Sequence, residues 1–144
     1  MFYVLEPEVA GHFGKNSVVD TSVRPPSVTK FHYELDGWLG DDLLETISSF
    51  VVTDRLRSVI EQSASTGYEF APVEVTTSEQ FDELYPDREL PNFWWLKIIG
   101  KPGVDDLGLS SDHRLVVRDG VFAKIQQRCQ LDNCEVTEFP PPSP

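Results

Sequence analysis

Cysteine, with two residues, and positive charge, with 12 basic residues, are in short supply among these 144 residues. Each scarcity closes off a class of protein. Cys129 and Cys134 lie near the C-terminus with no companion Cys-x-x-Cys and no nearby histidine, so the ligand set of a zinc site is missing. A disulfide between them would staple only a short local loop, and two free thiols in a reducing compartment are expected. The 12 basic residues face 24 acidic ones, a formal charge of −12, which repels phosphate backbones and anionic lipid. Neither nucleic acid nor a membrane is therefore an expected partner. The same field draws a basic protein toward the chain and raises its association rate, an effect that salt weakens. No run approaches the roughly 18 apolar residues of a membrane-spanning helix. The first residues contain no basic leader, long hydrophobic region or small-residue cleavage site, so a cytoplasmic location is expected. A Gly-x-Ser-x-Gly nucleophile turn is absent. Asp105, Asp106 and Asp112 lack the spacing and terminal Glu of a calcium loop. Neither a metal nor a cofactor is expected.

What the sequence does contain is a succession of short elements. A chain of 144 residues is near the commonest domain size and can bury roughly two-thirds of its unfolded surface. One domain over 1–139 is expected, followed by an exposed proline-rich tail, 140–144. Residues 1–7 read as a first strand. The stretch 11–27, with Gly11, Gly14, Asn16, Pro25 and Pro26 and little periodicity, reads as an exposed connection. Phe31, Tyr33 and Leu35 alternate with His32 and Glu34, the period of a strand with one buried face. A short helical turn is expected at 41–45 and a strand at 49–52. Thr53 stands at a helix N-cap, Leu56, Val59, Ile60 and Ala64 recur at helical spacing, Asp54 lies in the first turn, and Gly67 is placed to end the helix. Around Phe70, Val73 and Val75 an imperfect alternation broken by Pro72 predicts an incomplete strand.

Thr77 and Gln80 have the spacing of a capping box, ahead of a short helix with Phe81, Leu84 and Tyr85 on its apolar stripe and Pro86 as its stop. The run 93–100 is rich in aromatic and β-branched residues and predicts a central strand, which must point Trp94 and Trp95 to opposite faces. One of them enters the core and the other meets a helix layer or a partner. Residues 115–117 predict a strand, Asp119 the cap of a last helix with Val121, Phe122, Ile125 and Cys129 on one face, and 133–139 a final strand. Strands and helices do not alternate as a parallel α/β sheet requires. The fold class is α+β, a mostly antiparallel sheet with about three helices packed on one face.

The segment 31–44 is the most informative part of the chain. Its strand runs directly into a bend in which Asp36-Gly37 and Gly40-Asp41 bracket Trp38 and Leu39, so the backbone is free to visit positive φ on either side of a large aromatic. Two fates fit Trp38: a plug at the end of a core, or an exposed anchor of the kind enriched at binding hot spots. A second candidate contact surface is the acidic run Glu79, Asp82, Glu83, Asp87 and Glu89, which Arg88 alone offsets. His113 beside Asp112 could serve as a general base, with Asp112 or Asp106 as its partner, but no nucleophile motif accompanies it; His113→Ala tests this hydrolase alternative.

The block 33–45, beginning Tyr33-Glu34-Leu35-Asp36-Gly37-Trp38, then 50–56 and 78–81, resembles the immunity proteins of bacterial polymorphic toxin systems, a family first defined as a domain of unknown function. The similarity continues through 90–97 and 105–109. What the resemblance implies is an α+β protein without catalysis, which binds and neutralises a cognate toxin by direct occlusion. It carries over no catalytic residue. The partner-binding candidates are Trp38 as anchor, with Trp94 or Trp95 as further ones, and Asp41, Asp42, Glu45, Glu83, Asp87, Asp105 and Asp106 as the acids that steer and select a basic toxin. A small regulatory protein-binding module has the same interface chemistry and differs only in its partner.

Overall fold

The computed structural model describes residues 1–64 and 66–140, so the tail from 141 onward lies outside the described residues. In chain order the strands are β1 (Phe2–Glu6), β2 (Gly11–Phe13), β3 (Val18–Asp20), β4 (Ser27–Lys30), β5 (His32–Leu35), β6 (Leu43–Thr46), β7 (Ser49–Thr53), β8 (Tyr68–Ala71), β9 (Glu74–Thr77), β10 (Phe93–Ile98), β11 (Leu107–Leu109), β12 (Leu115–Arg118) and β13 (Glu135–Glu138); the helices are α1 (Asp54–Ser63), α2 (Glu79–Leu84) and α3 (Asp119–Arg128). The protein is α+β, and its strands pair antiparallel except β5 with β9.

The organising element is the sheet β6-β7-β10-β8. All five residues of β7 are buried, because both faces of this sheet are covered, and a strand buried on both faces reads as continuous rather than alternating apolar sequence. The pleat divides its side chains. Leu43, Phe50, Val52 and Leu96 enter one cluster, shared with α1, α3 and the sheet β11-β12-β1-β13. Leu44, Val51 and Trp95 enter a second, shared with Phe31, Tyr33 and Leu35 of the β5 segment and Phe81 of α2. Each fully buried side chain of this size stabilises the fold by about 1.5–3 kcal/mol. The helices therefore cover both faces of the central sheet, α1 packed on α3 on one side and α2 on the other, where one face was expected.

The Thr53 cap forms as read, its hydroxyl accepting from the Leu56 N–H, and Leu56, Val59 and Ile60 face the core. Other boundaries move. The stretch 11–27 is not a bare connection: it contributes β2, β3 and the start of β4. Gly11 belongs in the ladder because a Cβ there would lie 2.1 Å from the Glu34 carbonyl oxygen of β5. Residues 43–46 form a strand instead of a helical turn, since Leu43 and Leu44 must point to opposite clusters. α1 stops at Ser63, ahead of Gly67, whose φ of +92° serves a turn packed on Leu107. Ser78, not Thr77, caps α2 by accepting from Phe81 N–H, while Thr77 stays in β9 and donates to Asp82. Arg118 precedes α3 without a side-chain cap, and Asp119, its first residue, accepts from Gly120 N–H. β11 occupies part of what read as loop.

Candidate partner-binding surface

The bend after β5 is built from the inside. Trp38 is 9 % exposed. Its indole N–H donates to the Asp41 carbonyl at 2.9 Å, which closes the turn, and its ring meets Phe93 edge-on with centroids 5.8 Å apart. The Arg88 guanidinium lies 4.8 Å from the Trp38 ring centroid and 5.4 Å from that of Tyr85. An indole whose N–H is satisfied internally and whose ring is covered by an arginine is a structural plug, so the exposed-anchor expectation for Trp38 is corrected. Neither is the adjacent pair a free anchor. Trp95 is buried in the second cluster, whereas Trp94 meets the helix layer, donating to Asp54 at 2.5 Å with Arg57 stacked at 4.1 Å.

Asp41 and Asp42 are also interior, at 0 % and 6 % exposure. The Asp41 carboxylate accepts from the backbone N–H of Asp132 and Asn133 and from the Asn133 side chain, and Asp42 accepts from the Gln130 N–H at 2.7 Å and the Thr53 hydroxyl at 2.8 Å. Buried carboxylates have to be hydrogen-bonded, and these two gain partners by fastening the 130–133 loop to the start of β6. Neither side chain is placed for direct contact with a partner. Glu45 is half-buried, and burial pushes its carboxyl above the ordinary range, with the Ser48 N–H pulling the other way. Asp105 and Asp106 belong to a separate group: Asp105 accepts from the Lys101 N–H, and Asp106 from Arg118 and Thr66. Of the seven acidic candidates, Glu83 and Asp87 are the exposed ones. Asp87 reaches the surface in the left-handed conformation, φ 62°.

Glu83 and Asp87 lie on α2 and the turn that follows it, the same turn that delivers Arg88 onto Trp38. Leu84 is exposed, because six residues of helix bury Phe81 and half-bury Tyr85 but cannot turn a third side chain inward. Leu39, which follows Trp38 in the chain, is exposed as well. Its N–H donates to Glu8 and its carbonyl accepts from the Gln130 amide, each at 3.3 Å, so the leucine is held outward by its own backbone. Burial raises the Glu8 carboxyl above its usual range; the Leu39 N–H opposes this and the Asp41 charge adds to it.

No family model matches the chain, and no curated protein matches it.

What the surface can do is set by its chemistry. Leu84 and Arg88 are exposed on α2 and the turn after it together with Glu79, Asp82, Glu83, Asp87 and Glu89, so this surface presents apolar area beside predominantly negative charge. Leu39, Leu84 and Arg88, all exposed, were not among the expected residues of this surface. The signal that could have found Arg88 was its isolation among acids; nothing in the order of residues distinguishes Leu84 from the buried Phe81. The hydrolase alternative centres on His113 and its acidic neighbours. His113 occupies a left-handed corner between β11 and β12, φ 64°. Asp112 accepts from the Ser110 hydroxyl and from the Arg114 guanidinium. Burial, followed by the charges of Asp42 and Asp41, raises the thiols of Cys129 and Cys134 to about 11 and about 12 respectively, which leaves both protonated and unreactive at neutral pH.

Proposed function

We propose that this protein is an immunity protein that binds a basic bacterial toxin in the cytoplasm and occludes it, without catalysis of its own. The observation that carries this reading is the α2 face, where Leu84 and Arg88 are exposed among five carboxylates; Leu39 is exposed too. The charge of −12 supplies long-range attraction for a basic partner, and the leucines supply the contact that slows dissociation. The resemblance of the 33–45 block to immunity proteins supports the same class of partner.

The test is functional and kinetic together. The protein encoded beside this chain, produced alone, should arrest growth, and co-production of this chain should restore it. For the purified pair, Glu83→Lys with Asp87→Lys should slow association about tenfold at low ionic strength and much less at high salt. Unchanged association kinetics would remove the α2 face from the interface; failure to bind any neighbouring gene product would sink the immunity reading.

A further inference from the structure

A second surface stands apart from α2. β13 is the last strand of the sheet β11-β12-β1-β13, and all four of its residues are exposed. Its register on β1 runs Tyr3↔Glu138 to Glu6↔Glu135, and the Phe139 N–H donates to the Phe2 carbonyl at 2.9 Å. In an antiparallel ladder, hydrogen-bonded and non-hydrogen-bonded pairs alternate. Phe139, Thr137 and Glu135 therefore turn their backbone groups inward to β1, while Val136 and Glu138 turn theirs outward. Among the described residues no hydrogen bond meets the outward groups. The edge has no proline, lysine or bulge between Glu135 and Glu138 to blunt it. What it does carry is one sign of charge, Glu135 and Glu138 on the strand with Asp132 just before it. Where Glu138 borders it, an apolar hollow of about 530 Å³ opens among Met1, Phe2, Pro102, Val104 and Phe139.

We propose that the outer edge of β13 is a docking edge for an extended, basic segment of a partner protein, which adds as a further strand and alternates lysine or arginine with apolar residues. The choice of occupant follows from charge. A second copy of this chain brings the same net charge of −12 and the same acidic edge, which repel, whereas a basic segment sets cations beside Glu135 and Glu138. Main-chain bonds to Val136 and Glu138 give affinity without demanding a unique sequence, and the apolar hollow selects a side chain at one end. Nothing in this edge depends on the α2 face or on the partner being a toxin.

The probe is a β-hairpin peptide with lysine alternating with valine, N-methylated along one edge so that it can pair on one side only. Titrated into the whole protein, it should slow hydrogen exchange of the Val136 and Glu138 amides at least about tenfold, and leave the already paired Glu135 and Thr137 little changed. Glu138→Pro, which removes an outward N–H but no bond to β1, should weaken binding about tenfold, as should Glu135→Lys with Glu138→Lys. The double charge variant keeps the backbone donors and so reads the charge component even if the proline variant misfolds. A glutamate–valine hairpin binding equally well, protection appearing elsewhere, or no protection at millimolar peptide would each overturn the proposal.

Discussion

Asp42 is an interior carboxylate held by partners from two distant segments of the chain. Its carboxylate takes the Gln130 N–H and the Thr53 hydroxyl, with Arg55 4.0 Å away, while 6 % exposed. Asp42→Ala leaves those donors buried and unpaired, and should lower stability by about 2–3 kcal/mol in urea unfolding. A loss below a few tenths would mean that water replaces the carboxylate. His12 is a surface residue with a defined pH signature. Its Nδ1 lies 2.8 Å from Asp36 and its Nε2 2.8 Å from Glu34. The Asp36 hydrogen bond, helped by that of Glu34 and by both charges, raises the imidazole pKa above 6.5 despite some desolvation. A raised folded value means that the native state holds the proton more tightly than the unfolded chain. The contribution is therefore complete below pH 6.5 and fades as pH rises through the folded pKa. NMR titration of His12 should give a midpoint above the ordinary value, and Asp36→Asn should lower it; no change on that substitution would contradict the assigned cause.

At the scale of elements, the β6–β7 hairpin is the least comfortable piece of the fold. Its two-residue loop places Ile47 at φ 38° and Ser48 at φ 60°, both left-handed, and Ile47 is 62 % exposed. Turns of this geometry favour Asn-Gly, and a β-branched residue there is strained. Ile47→Asn with Ser48→Gly should raise stability by about 1 kcal/mol in thermal or urea unfolding; a loss instead would show that the Ile47 side chain makes compensating contacts. Elements with strong local signals were legible. Thr53, Leu56, Val59 and Ile60 define α1, and the aromatic run defines β10. The strands within 11–30 were not, because their pairing comes from β5 and from each other, with Gly11 and Gly14 fitted to the Glu34 carbonyl and the His32 ring, and close approach to a distant strand leaves no periodicity behind.

For the whole molecule, the central sheet joins two apolar clusters through the opposite faces of β7 and β10. Breaking one cluster exposes the back of the other, so both should unfold together. Trp38 and Trp95 report the second cluster and Trp94 the first. Single-tryptophan variants, with phenylalanine at the other two positions, should therefore give coincident urea transitions. Separated midpoints would show that the clusters unfold independently.

Composition, charge and periodicity by themselves determined the α+β class, the acidic character, the main helix and the central strand, since each depends on residues close together in the chain. Only the tertiary structure decided which acids face water. Asp41, Asp42, Glu83 and Asp87 are alike as residues. The first two are enclosed because the 130–133 loop, far along the chain, brings backbone donors to them. The other two stay outside, Glu83 on the outward side of α2 and Asp87 in the turn that follows it. Burial of a carboxylate follows from where its hydrogen-bond donors arrive, and that is fixed by packing between segments that are remote in sequence.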